Sequence, residues 1–235
     1  MLNKSVLELG GSDAYLVLPD ADIELAARVC TQGRLMNSGQ SCIAAKRMIV
    51  VDEVRSRFEK RFVERMAAAR VGDPLQDETE VGPMARRDLR DALHRQVQAS
   101  IAAGARLLLG GRVPDGPGAF YPCTVLTDVK PGMPAFDEEL FGPVAAIVPV
   151  KGEKEAVTAA NGSVYGLGGC VLTRDVANGE RIAADLLDSG LAYVNAVVRE
   201  DPRLPFGGIK DSGYGREMSA YGIKEFVNIK TVCVA

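Results

Sequence analysis

The chain has 235 residues, of which 47% are hydrophobic and 25% charged, and a net charge of −3. It is long enough to bury a core as one large domain or one and a half, and its scattered Lys and Arg exclude the concentrated basic surface that nucleic acid requires. Its longest apolar run, 140–150, is too short to span a bilayer and is broken by Gly142, Pro143 and Pro149. The first residues hold no signal-like apolar stretch, so the expected location is the cytoplasm.

In chain order, S-V-L-E-L (5–9) reads as a short strand ended by Gly10-Gly11, and A-Y-L-V-L (14–18) as a second strand. Asp20 or Asp22 can cap a helix to about Met36, with Ile23, Ala26, Ala27, Cys30 and Leu35 on its inner face. M-I-V-V (48–51) is a buried strand. The stretch 53–70 is an amphipathic helix burying Val54, Phe58, Phe62 (or Val63) and Met66. After a turn-rich segment, 86–104 is helical, R-L-L-L is a strand, and 112–122 is loop. T-V-L-T-D is a strand, 141–150 is a loop entering a strand, and 153–161 is a helix. The strand G-C-V-L-T, a helix at 175–189, the strand A-Y-V-N and a Gly/Pro-rich loop at 199–216 follow. A short helix (216–221) and a strand, V-N-I-K-T-V-C-V (227–234), end the chain.

This alternation predicts an α/β fold: a mainly parallel twisted sheet with helices on both faces. The last strand follows a long loop and is free to pair with another chain, so a homo-oligomer is expected.

Five cysteines (30, 42, 123, 170, 233) form no C-x-x-C pair, and His94 is the only histidine. Neither a metal site nor a Ser-His-Asp triad is indicated. His94 falls in a charged helical pattern, where a solvated face is expected. Cys30, Cys170 and Cys233 fall on helix or strand positions that suit small core residues. Cys42 differs, because N-S-G-Q-S-C-I-A-A-K-R (37–47) sets it among small and polar residues. It is either a buried filler or a reactive thiol helped by neighbouring amides. Glu8, between Leu7 and Leu9, is either an exposed edge carboxylate or a buried one whose raised pKa suits a general base. In D-E-E-L-F-G-P-V (137–144), a carboxylate can bind a ribose diol and Phe141 can pack on a flat ring; the plain alternative is a loop with a core Phe. P-F-G-G-I-K-D-S-G-Y-G-R-E (205–217) is too glycine-rich for a plain connector and matches no familiar phosphate cradle.

These stretches together resemble the NAD(P)-dependent aldehyde dehydrogenase family. L-E-L-G-G-S-D-A is similar to its glutamate motif, G-Q-S-C to its cysteine motif, and E-E-L-F-G-P-V to its cofactor-contact motif. P-F-G-G-I-K-D-S-G-Y-G-R-E and Y-G-L-G-G-C-V-L-T-R-D are two further matches, in the family's order. Within the family, K-S-V-L-E-L-G-G-S-D, S-C-I-A-A-K-R and D-P-R-L-P-F-G-G most resemble bacterial succinate-semialdehyde dehydrogenases.

The resemblance implies a small aldehyde substrate and NAD or NADP as cofactor. Cys42 is the implied nucleophile and Glu8 the base that activates water. Glu139 would bind the nicotinamide ribose, Phe141 would pack beside that ring, and Asn195 would steady the catalytic loop. Arg199 is a candidate partner for a distal substrate carboxylate; the alternative is a solvated loop arginine. Residues 1–11 would end a cofactor-binding domain, 12–209 form the catalytic domain, and 210–235 supply a helix and an oligomerisation strand. The family chain is about twice this long on a two-domain size estimate, so the upstream half is the portion without a counterpart here. The chain alone is therefore expected to be inactive as a dehydrogenase. The competing expectations are a cofactor-independent thiol esterase and a non-catalytic assembly fragment.

Overall fold

The structure is a computed structural model that describes residues 3–235. Seven strands form the main sheet: β2 (Ala14–Val17), β3 (Arg47–Val51), β4 (Arg106–Leu109), β5 (Thr124–Thr127), β6 (Val144–Val150), β8 (Gly168–Leu172) and β9 (Leu191–Val194). Their order across the sheet is β4–β5–β6–β3–β2–β8–β9. Every pairing is parallel except β4 with β5. Strands β1 (Leu7–Glu8), β7 (Tyr165–Gly166), β10 (Ile209–Lys210) and β11 (Gly213–Tyr214) stand outside that sheet, as two-stranded ladders β1–β11 and β7–β10.

The central strands are apolar on both sides because helices cover both faces. On β2, Tyr15 and Val17 point to one layer, and Ala14 and Leu16 to the other. The first layer packs on α1 (Ile23–Leu35) and α2 (Asp52–Ala68) through Ala26, Cys30, Phe58, Phe62 and Met66. Phe58 and Phe62 are stacked with ring centroids 5.2 Å apart and are fully buried, so truncating either to Ala costs about 3–5 kcal/mol. The second layer packs on α3 (Arg87–Ala102), α4 (Pro134–Asp137) and α5 (Glu153–Asn161) through Leu93, Val97, Phe136 and Ala156.

Helix α1 starts at its Asp22 cap, whose carboxylate accepts from the Leu25 amide at 3.1 Å. Asp20 is used otherwise: it accepts from the Thr173 hydroxyl and the amides of Arg174 and Asp175, closing the end of β8. Among the described residues no helix is long and apolar enough to cross a membrane.

The sequence expectations need five corrections. The helix expected over 175–189 is α6 (Val176–Arg181) followed by a π-helical turn, Ile182–Leu186. That wide turn buries Ile182, while Asn161 holds the end by donating to Leu186 O and accepting from Asp188 N. The helix expected at 216–221 is α7 (Ser219–Glu225). It starts later because Glu217 is paired through its backbone with Phe206. The stretch 227–234 is not a strand, since no sheet edge among the described residues receives it. Cys233, expected as a core residue on that strand, is consequently exposed. His94 is half-buried rather than solvated, with Nδ1 3.1 Å from the Tyr121 hydroxyl.

Candidate active site

The motifs converge because backbone meets backbone. Helix α1 ends in a tight turn, Met36–Gly39, in which Asn37, Ser38 and Gly39 all have positive φ (48°, 57° and 75°). A side chain on Gly39 would collide with the Gly142 carbonyl, so this glycine is required by both conformation and contact. Arg34 fastens the same junction. It is fully buried and donates from Nη2 to Gly39 O (2.7 Å) and from Nη1 to Val144 O (3.1 Å). G-Q-S-C and F-G-P-V, distant in sequence, are thus one structural unit.

The glutamate motif docks on it from the other side. A Cβ on Gly11 would lie 2.9 Å from the Cys42 carbonyl oxygen, and the Gly11 amide donates to Glu139 Oε1 at 3.0 Å. Strand β1 is laid against the late glycine motif, with Leu7 opposite Tyr214 and Glu8 opposite Gly213. The Leu9 amide donates to Ser212 O at 3.0 Å, and the buried Ser212 hydroxyl accepts from the Gly166 amide at 3.0 Å, tying in the fifth motif.

Cys42 follows the tight turn and is partly buried. Burial pushes its thiol up; Lys46 pulls it down; Asp13 and Glu8 push it up further, with the Ile43 amide opposing them. Glu8 is half-buried, yet both its carboxylate oxygens are covered and neither accepts a full hydrogen bond. Burial, then Glu217 and Glu200, raise its pKa, while the Gly208 amide and Arg216 oppose the rise. A carboxyl so placed holds a proton more readily than a free one, as a base working near neutrality must. Glu139 uses Oε1 for Gly11 and for Lys46, 3.7 Å away; the structure gives its Oε2 no hydrogen bond among the described residues. Phe141 is 40% exposed, so it is not the core Phe that its motif also allowed.

Asn195 has φ 57° and spans Thr173, accepting from its amide (3.0 Å) and donating to its carbonyl (2.8 Å). Its bonds therefore brace the β8–β9 end and not the Cys42 turn. Three residues on, the Val198 amide donates to the buried Tyr15 hydroxyl at 2.8 Å. Arg199 is exposed; its carbonyl accepts from Tyr193, and the structure gives its side chain no partner among the described residues.

Sequence reasoning missed the charged residues beneath the site. Lys46 and Arg47 are buried, not surface cations. Arg47 donates to the carbonyls of Ser12, Ala159 and Ala160 and lies over the Phe136 ring, 5.2 Å from its centroid. Asp13 is buried; Oδ1 accepts from the Gly168 amide at 2.9 Å, Oδ2 has no partner among the described residues, and burial pushes its pKa up to about 6 against the pull of Lys46 and Arg47. The available signal was charge set against apolar strands, in S-D-A-Y-L-V and A-A-K-R-M-I-V-V.

Comparison with known proteins gives the same grouping. The model of the aldehyde dehydrogenase family matches residues 1–232. The succinate semialdehyde dehydrogenase (NAD(P)+) Sad of Escherichia coli is 50% identical over 231 residues, covering 98% of this chain and 50% of that protein. The succinate-semialdehyde dehydrogenase (NADP(+)) 1 of Mycobacterium tuberculosis H37Rv is 47% identical, covering 100% of this chain and 51% of that protein. The solved structure of succinic semialdehyde dehydrogenase from Streptococcus pyogenes, in complex with NADP+, superposes with a TM-score of 0.94 at 37% identity, covering 97% of this chain and 50% of that one. The chain spans about half the length of the curated relatives it matches. With the fold, the motif contacts and these likenesses in agreement, the chain belongs to the aldehyde dehydrogenase family.

Proposed function

We propose that this chain carries the thiol chemistry of an aldehyde-oxidising enzyme, with succinate semialdehyde as substrate. The observation that supports it is the meeting of the Glu8, Cys42 and Glu139 segments at Gly10-Gly11. In this reading the Cys42 thiolate attacks the aldehyde carbon and forms a thiohemiacetal. The Cys42 amide faces the oxygen that gains charge. NAD or NADP, when bound, supplies the hydride acceptor. Glu139, with Oε2 available to a ribose hydroxyl, and Phe141, with a partly exposed ring, fit a dinucleotide and would hold it. After oxidation, Cys42 is left as a thioester. Glu8 takes a proton from water, which releases the carboxylic acid and restores the thiol.

Arg199 is the proposed partner of the substrate's distal carboxylate. The domain reading carries over as residues 1–11, 12–209 and 210–235. The matched relatives are twice as long, so hydride transfer is proposed for these residues together with a dinucleotide-binding portion outside them. The tail 226–234 is proposed as the contact between copies in a homo-oligomer; its apolar side chains support this.

The test uses a nitrophenyl ester, which acylates a reactive thiol without any cofactor. Wild type should acylate at Cys42 and turn over slowly. Cys42→Ala should lose nitrophenol release by a factor on the order of 10⁴ or more. Glu8→Gln should acylate normally but release the acyl group about 10²–10⁴-fold more slowly. Equal deacylation by wild type and Glu8→Gln sinks the assignment of Glu8. Esterase turnover that persists while NAD(P)H never forms, even with the first half of a relative supplied, favours a thiol esterase instead.

A further inference from the structure

We propose that Lys46 is a positioning residue for Cys42: its ammonium fastens the turn that presents the thiol and sets positive charge beside the sulfur. The proposal rests on the reading of Cys42 as nucleophile. The Lys46 side chain is fully buried, and Nζ donates to three carbonyls of the nucleophile's own turn: Ser41 at 3.2 Å, Cys42 at 2.8 Å and Ala44 at 2.9 Å. Those bonds use all three ammonium donors on one four-residue stretch. A neutral donor can satisfy carbonyls; a full charge adds a field.

That field falls on two groups assigned to the reaction. One is the Cys42 thiol. The other is the Glu139 carboxylate, whose Oε1 lies 3.7 Å from Nζ. The charged and titratable groups facing Lys46 are Arg34, Asp13, Glu139 and Cys42, and those facing Cys42 are Lys46, Asp13 and Glu8. Of the three that face Cys42, only Lys46 favours the thiolate. Burial brings Lys46 itself down to about 8, so at pH 7 the ammonium is still mostly charged and its field reaches the sulfur.

The experiment measures iodoacetamide alkylation of Cys42 from pH 6 to 10 in the full 235-residue chain, read from the mass of the Cys42 peptide. Lys46→Met should raise the midpoint by about one unit, slowing alkylation at pH 7 about tenfold, and Lys46→Arg should recover most of it. A folded Lys46→Met protein with the wild-type midpoint overturns the proposal. Because Lys46→Met leaves buried acceptors unpaired and is at risk of misfolding, a second measurement uses the unmutated chain. Lysine ¹⁵N NMR follows the Lys46 titration before and after Cys42 is alkylated. The thiolate, once formed, must hold a proton on Lys46, so the upper limb of the Lys46 titration should reach to higher pH before alkylation than after, because the coupling is reciprocal; identical curves overturn the proposal without any variant. Failure of the aldehyde reading looks different: Lys46 still governs the Cys42 midpoint, but no Cys42-dependent ester turnover is seen.

Discussion

The segment 34–47 buries three cations, one of them acting on the Cys42 thiol, whereas the segment 226–234 turns Phe226, Val227, Ile229, Val232 and Val234 toward solvent. In the first, the Arg34 Nη groups, the Lys46 ammonium and the Arg47 guanidinium donate to backbone carbonyls of the chain itself. In the second, Val234 is 91% exposed and Ile229 77%, and no ladder takes their backbone. The first region is completed by internal contacts, so its geometry should survive in a single chain. The second offers apolar area that only another surface can cover. The site and the exposed apolar tail therefore depend on different things, and perturbing one should leave the other in place.

The largest expected effect falls in the first region. Gly39→Val puts a branched side chain at φ 75° and against the Gly142 carbonyl. It should cost about 3 kcal/mol or more, lowering the melting temperature by roughly 6–12 °C. Calorimetry checks this, and an unchanged melting point would break the claim that the turn is held internally.

The next effect is one of pH. The Asp13 pKa is raised from 3.8 to about 6, so the folded state binds its proton more readily than the unfolded chain does. That contribution is present in full below 3.8 and is lost as pH rises through about 6. The loss is on the order of 2–3 kcal/mol. Denaturant titrations at pH 4 and pH 6.5 should show it in wild type, and Asp13→Asn should flatten that part of the profile.

The smallest effect on stability belongs to the tail. Ile229→Asp should change the melting free energy by no more than about 0.5 kcal/mol. If the tail joins copies of the chain, the same change should lower the mass seen by sedimentation. A large melting shift would mean that the tail packs on its own chain after all.

Much of the frame was legible because each strand and helix has its own period. Phe58, Phe62 and Met66 recur at helical spacing, and the runs 48–51 and 144–150 are apolar on both sides, as central parallel strands must be. The failures lie where tertiary contacts override local pattern. The π turn at Ile182–Leu186 is set by Asn161, about two dozen residues away in sequence, and α7 waits on the Phe206–Glu217 bridge. The tail reads as a strand by composition, but a strand needs a neighbour, and none is found among the described residues. At the site, Cys42, Glu8 and Glu139 stood out by motif. Asp13, Arg34, Lys46 and Arg47 did not, because a charge is normally read as surface and only the fold shows that Asp13 is buried against the Gly168 amide and the three cations against carbonyls.

The contact between Gly39 and Gly142 has a kinetic corollary. Residues 36–46 cannot keep their shape as a peptide, since the opposing wall arrives only when the chain at 142–143 has docked. The rate of Cys42 labelling during refolding should therefore settle to its native value late, with β6 already in place, and would clock the closure of the two halves of the sheet.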